Sequence, residues 1–192
     1  MMNQKQAWRR LGWALCLWTC LGLDIAQAAS PEPAPPEPEG YRQEAYRAPT
    51  PTSLRGAGVI DTQAAEALWR EDNAIFIDVL PATLGEGLHR GHWLPAKPRQ
   101  DIPGSHWLPN VGYGSLSPEM ERYFRTTLGT LRQEDNRPLV FYCLTDCWMS
   151  WNAAKRALAW GYGPILWYPA GSDGWSSEGL PLEETQPLPL TP

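Results

Sequence analysis

Pro138-Leu-Val-Phe-Tyr-Cys-Leu-Thr-Asp-Cys-Trp148 is the stretch on which the reading of this 192-residue chain turns. Residues 139–142 are apolar, β-branched or aromatic, follow a proline, and predict a buried strand. Beyond them Trp148, Trp151, Ala154 and Leu158 recur at helical spacing. Lys155 and Arg156 are expected to face away, and Gly161 and Gly163 mark the end, so 149–160 predicts a helix. Cys143 and Cys147 then lie on the loop between a strand and a helix N-terminus. Unpaired backbone N–H groups and the positive end of the helix dipole point into such a loop and favour a thiolate there.

Working outward, residues 74–79 (Ala-Ile-Phe-Ile-Asp-Val) form a second apolar run, the pattern of a strand covered on both faces. Residues 59–60 predict a short edge strand, and 105–108 and 165–168 predict two more strands. Asp61 or Thr62 caps a helix running to about Arg70, with Ala65, Leu68 and Trp69 inward. Ser117 caps another to about Leu131, with Pro118 at its first position and Met120, Tyr123, Phe124 and Leu128 on its apolar side. Residues 80–104, rich in Gly and Pro, read as one long loop, and a loop of that length in a compact domain is usually functional or mobile. Residues 169–175 read as a turn-rich loop. Strands alternating with helices predict an α/β fold with a mostly parallel central sheet and helices on both faces. Ligands bind such sheets at the carboxyl ends of strands, which is where Cys143 falls.

Residues 1–28 read as a secretory signal peptide, with Lys5, Arg9 and Arg10 ahead of an apolar run and Ala26-Gln27-Ala28 as the small-x-small cleavage signal. The apolar run is too short for a comfortable membrane span, so no membrane association is expected after cleavage. Leu17-Trp18-Thr19-Cys20 offers a competing lipid-attachment reading, against which the bulk of Trp18 and Thr19 stands. Residues 29–58 read as a proline-rich tether and an irregular lead-in, 59–182 as the domain, and 183–192 as a flexible, proline-rich tail. The chain carries a formal charge of −5 and the leader a net +2 (Lys5, Arg9 and Arg10 against Asp24), so the mature chain carries −7. That balance argues against nucleic acid as a partner. Cys16 and Cys20 leave with the leader. Cys143 and Cys147 are then the only cysteines, in an oxidising compartment where such a pair oxidises to itself at least part of the time.

The order of these pieces resembles the rhodanese-like domain over about 59–182. The family's isoleucine-aspartate strand, its H-I-P-G-A loop, the strand ending in a cysteine and the G-G-x-x-x-W loop have counterparts here. They are Ile77-Asp78, Asp101-Ile102-Pro103-Gly104-Ser105, Tyr142-Cys143, and Gly171-Ser172-Asp173-Gly174-Trp175. The signal peptide and Cys143-Leu-Thr-Asp-Cys147-Trp148 are similar to a subgroup named for a cysteine-pair-tryptophan motif, although three residues stand here between cysteines where that name has two. This resemblance implies a rhodanese-like fold, a periplasmic location and a place accessory to pyrroloquinoline-quinone-dependent alcohol catabolism. Where rhodaneses that handle thiosulfate carry Arg, Gly and Arg after the cysteine, this chain has Leu144, Asp146 and Trp148. Leu80 stands where the family's arginine follows the aspartate strand, and Asp101 where the loop histidine would be. Thiosulfate transfer is therefore expected to be weak, a dianion being left to backbone N–H groups. Met149 stands where related phosphatases need arginine, which argues against phosphatase activity.

Two readings of the cysteines stay open. In one, Cys143 is a nucleophile and Cys147 the resolving thiol that converts a persulfide or mixed disulfide on Cys143 into an internal disulfide. In the other, the pair is a structural staple, although closing so short a loop gains little. Asp146 between them can repel a thiolate, accept a proton, or cap the following helix. Leu144, Thr145, Trp148, Trp175 and Asp78 are the candidates for binding a substrate or partner, whereas Trp151, Trp160 and Trp167 read as core. His89, His92 and His106 with two thiols could supply soft metal ligands, but no metal and no cofactor is assigned. The expected partner is a small sulfur-containing or thiol substrate. If the domain is instead a non-catalytic binding module, the partner is a periplasmic quinoprotein or cytochrome.

Overall fold

The computed structural model describes residues 33–86, 91–134 and 136–190. The signal peptide expected at 1–28 and His89 lie outside the described residues. In chain order the elements are β1 (Gly58–Val59), α1 (Thr62–Arg70), β2 (Ile75–Asp78), β3 (Thr83–Leu84), β4 (Trp93–Leu94), β5 (Arg99–Asp101) and β6 (His106–Trp107). They continue with α2 (Pro118–Glu134), β7 (Leu139–Tyr142), α3 (Trp148–Ala159), β8 (Ile165–Trp167), α4 (Gly171–Ser177) and β9 (Glu183–Thr185). Five strands form one parallel sheet in the order β1-β8-β7-β2-β6. The register runs from Ile75 opposite Leu139 to Asp78 opposite Tyr142, so the carboxyl ends of β2 and β7 lie side by side and Cys143 follows directly.

The alternation of side chains along β2 and β7 sorts the core into two layers. Ile75, Ile77, Leu139 and Phe141 pack with Tyr123, Phe124 and Leu128 of α2 and with Trp151 and Ala154 of α3. Phe76, Val140 and Tyr142 pack on the other face with Ala65 of α1 and Trp175 of α4. This is the α/β arrangement expected, with a parallel central sheet and helices on both faces. Phe124 and Phe141 meet edge to face at 6.1 Å, worth about 0.5–1.5 kcal/mol beyond area burial. The helix starts are made by the expected caps: Asp61 Oδ1 accepts from Ala64 N at 2.9 Å, and Ser117 Oγ from Met120 N at 3.2 Å.

Several expectations are corrected. Arg156 does not face away from the core. It is buried, and its guanidinium donates to the carbonyls of Val111, Tyr113 and Gly114, satisfying the irregular chain between β6 and α2. Residues 169–175 are not a loop throughout, because α4 begins at Gly171. The tail does not fray at once: β9 pairs antiparallel with β5, and Leu188 N donates to Trp107 O at 2.9 Å. Residues 80–104 contain the β3–β4 pair and β5. The lead-in is irregular but lies along α3. The Trp148 and Trp151 indoles donate to Pro49 O and Ser53 O, Lys155 Nζ reaches Pro38 O at 2.7 Å, and Leu54 is buried in the core. Among the described residues no helix is long and apolar enough to cross a membrane.

Candidate functional site

Cys143 sits at the carboxyl end of β7, and Cys147 is the N-cap of α3. The two are joined in a disulfide with their Cα atoms 6.2 Å apart. Cys143 is 0 % exposed and Cys147 3 %. The chain turns between them through Asp146 at φ +53°, a left-handed conformation that aspartate tolerates better than most residues. Asp146 does not cap the helix: Cys147 holds the cap position and makes no side-chain cap bond. Asp146 is exposed, and its backbone carbonyl accepts from Ala48 N at 3.0 Å.

The loop N–H groups expected to meet a substrate anion are partly taken by the protein itself. Thr145 N donates to Asp173 Oδ2 at 3.1 Å, and Thr145 Oγ1 to Ala170 O at 2.8 Å. Trp148 N donates to Tyr46 O at 2.9 Å, where the lead-in makes an antiparallel bridge between Arg47 and Cys147. On the other side α4 closes on the loop, with Ser172 N donating to Cys143 O at 3.0 Å. Gly171, at φ +56°, is what allows that approach, since a Cβ there would collide with the Cys143 carbonyl.

Beside the loop lies a buried ionic network. Arg99, whose side chain is 9 % exposed, donates through Nε to Asp78 Oδ2 at 2.5 Å and through Nη2 to Ser172 Oγ at 2.9 Å. Asp101 lies 4.0 Å from the same guanidinium and accepts from the Tyr142 hydroxyl, which also bonds Ser105 Oγ at 2.6 Å. Asp101 Oδ2 has no hydrogen-bond partner although it is buried. Burial first, and then the neighbouring Asp78 charge, push the Asp101 carboxyl up to about 7. Burial also raises Asp78, against the pull of Arg99, and holds Tyr142 well above the usual phenol range as a neutral donor.

A cavity of about 810 Å³ opens next to this network. Leu80, Pro81, Trp107, Tyr113 and Leu144 give it apolar walls. Lys97, Arg99 and Gln100 come from the far end of the long loop and β5, and Asp173 from α4.

The structure thus brings Cys143, Leu144, Thr145, Asp146, Cys147 and Asp78 to one end of the sheet, with Leu144 on the cavity wall. It does not bring the two tryptophans to the surface. Trp148 opens α3 and packs in the main core, and Trp175 belongs to α4 and the second core layer, its indole donating to Pro181 O at 2.7 Å. A helical residue faces whichever side its packing partners occupy, and here both rings, Trp148 at the start of α3 and Trp175 within α4, face inward. Asp78 is buried behind Arg99 and cannot itself meet a ligand directly. His92 lies in the chain entering β4 and His106 on edge strand β6. The cysteines bond each other, and no metal-holding group of three or more His, Cys, Asp or Glu occurs among the described residues.

Sequence reasoning missed Arg99, Lys97, Ser172 and the Tyr142–Asp101 pair. The cation absent from the cysteine loop is supplied from β5, 21 residues beyond its aspartate partner. The available signal was a pair of cations, Lys97 and Arg99, in a loop too long to be mere connection.

No protein-family model matches the chain, and no curated protein matches it. Solved structures do. One is a Rhodopseudomonas palustris protein of unknown function described as a possible tyrosine phosphatase, at 18% identity and TM-score 0.41, covering 66% of this chain and 85% of that one. Another is the polysulfide-sulfur transferase homodimer of Wolinella succinogenes, at 18% identity and TM-score 0.40, covering 67% of this chain and 79% of that one. A third is a double cysteine-to-alanine variant of EanB in complex with hercynine, at 21% identity and TM-score 0.45. That match covers 74% of this chain and 34% of EanB, so the chain spans about a third of that protein.

Proposed function

We propose that this chain is a periplasmic rhodanese-like protein whose Cys143/Cys147 pair carries out thiol–disulfide or sulfur-transfer chemistry, accessory to pyrroloquinoline-quinone-dependent alcohol catabolism. One observation carries the chemistry: Cys143 and Cys147, the only two cysteines among the described residues, are joined at the carboxyl end of β7 and the N-terminus of α3, and Leu144 between them lines a cavity. A sulfur at the start of a helix is stabilised as a leaving thiolate by the helix N–H groups and dipole, so Cys147 suits the resolving role and Cys143 the covalent one. The location rests on the leader at 1–28, and the catabolic context on the Cys143-to-Trp148 motif. The test is mass spectrometry of the mature protein after treatment with a sulfide donor or a thiol and then alkylation. Cys143 is expected to carry persulfide, mixed disulfide or a reducible bond to Cys147. A Cys143 that never carries any of these removes the chemistry.

The burial of both sulfurs favours a second reading, in which the disulfide is a staple and the domain a binding module for a periplasmic quinoprotein or cytochrome. The reduction potential separates the two. A value below about −300 mV marks a structural bond, and one near the exchange proteins, about −120 to −270 mV, marks an exchanger.

A further inference from the structure

The cavity beside Leu144 is much larger than an inorganic sulfur donor needs. At about 810 Å³ it is of the size that holds an organic ligand. Thiosulfate would leave most of it to water. The loop N–H of Thr145, which such an anion would use, is already held by Asp173. The walls Leu80, Pro81, Trp107 and Tyr113 suit a carbon skeleton, and the cations do not come from the cysteine loop. Arg99 is fixed from behind by Asp78 and Ser172. Lys97 is exposed and has no ion-pair partner among the described residues. Asp173, the one acid on the wall among the described residues, is engaged by the Thr145 N–H.

We propose that this cavity seats a low-molecular-weight organic thiol bearing a carboxylate, with the carboxylate at Lys97 and Arg99, the carbon body on the apolar wall, and the sulfur at Leu144 beside the cysteine pair. The proposal rests on the thiol–disulfide reading of that pair. Both sulfurs are buried and neither lines the cavity, so the Leu144 side chain between them and the cavity turns aside first. The bound thiol, as its thiolate, then forms a bond to the Cys143 sulfur while the Cys143–Cys147 bond breaks. Cys147 leaves with the electron pair and takes up a proton. A second thiolate attacks the external sulfur of the mixed disulfide and Cys143 leaves, again protonated from solvent. Two thiols are oxidised to one external disulfide, and the protein disulfide is reduced to two thiols.

Binding is tested apart from chemistry with S-methylglutathione, an unreactive thioether carboxylate, titrated calorimetrically into the mature protein. Saturable binding is expected, weakened roughly fivefold in Lys97→Gln, blocked in Leu144→Trp, and lost when the probe's carboxylates are esterified. Lys97 is exposed, so its variant reports on binding even if the tryptophan variant fails to fold. Absence of binding, or equal affinity for the Lys97→Gln variant or the ester, overturns the proposal. The thiol–disulfide reading fails by a separate measurement: whether a small neutral thiol such as 2-mercaptoethanol forms a mixed disulfide with the pair.

Discussion

Arg99 donates through Nε to Asp78 Oδ2 at 2.5 Å, joining β5 to the carboxyl end of β2. Asp101 adds a second carboxyl beside the same cation. Removing one partner of a buried pair leaves the other charge uncompensated, which costs about 3–5 kcal/mol. Arg99→Met is expected to lower stability by that amount. Arg99→Lys loses less, but lacks the planar fork that reaches Asp78 and Ser172 together. Urea unfolding checks both; an Arg99→Met protein as stable as wild type would show that the network is not carrying charge.

Stability should fall as pH rises through the range where Asp101 titrates. Its carboxyl lies at about 7 in the folded protein against an ordinary 3.8. Between those values the folded state binds more protons than the unfolded one, so this contribution is fully present below about 4 and is lost as pH climbs through about 7. The slope is at most about 1.4 kcal/mol per pH unit. Asp101→Asn should flatten it. Unfolding midpoints at pH 4.5, 6 and 8 in the two proteins provide the check, and an Asp101→Asn profile parallel to wild type would count against it.

The disulfide closes a loop of sequence separation 4. Loop-closure entropy at that length is worth about 2 kcal/mol. Reduction, or Cys143→Ser with Cys147→Ser, is therefore expected to destabilise the domain modestly and leave it folded at 25 °C. Denaturation with and without dithiothreitol measures this. Global unfolding on reduction would favour the staple.

Thiosulfate-to-cyanide transfer should be weak in wild type, because Asp173 occupies the Thr145 N–H and no arginine stands on the cysteine loop. Leu144→Arg combined with Asp173→Ala is expected to raise it at least about tenfold, the value of one hydrogen bond to a charged group. Trp148→Arg, equally natural from the sequence, should instead unfold the protein, since Trp148 is buried at the start of α3. Wild-type transfer that is already fast would sink this account of the loop.

What could be read from sequence is what local physics decides. The β7 run 139–142 and the α1 span 62–70 emerge with their expected bounds, because apolar runs and caps act within a few residues. The position of Cys143 at a strand end and Cys147 at a helix start follows from the same local rules. The direction in which Trp148, Trp175 and Arg156 point does not, because a helix start or an amphipathic face turns toward whatever the rest of the chain supplies. The Thr145–Asp173 contact and the Arg99–Asp78 pair join residues 28 and 21 positions apart. No local pattern encodes such a pairing; it exists only once the parallel register sets β2 beside β7 and β9 holds β5 against that end of the sheet. By itself the sequence determined the α/β alternation and the seat of the cysteine pair. The tertiary structure decided which charges face that pair and which aromatic residues are withdrawn into the core, because burial and ion pairing depend on neighbours distant in the chain.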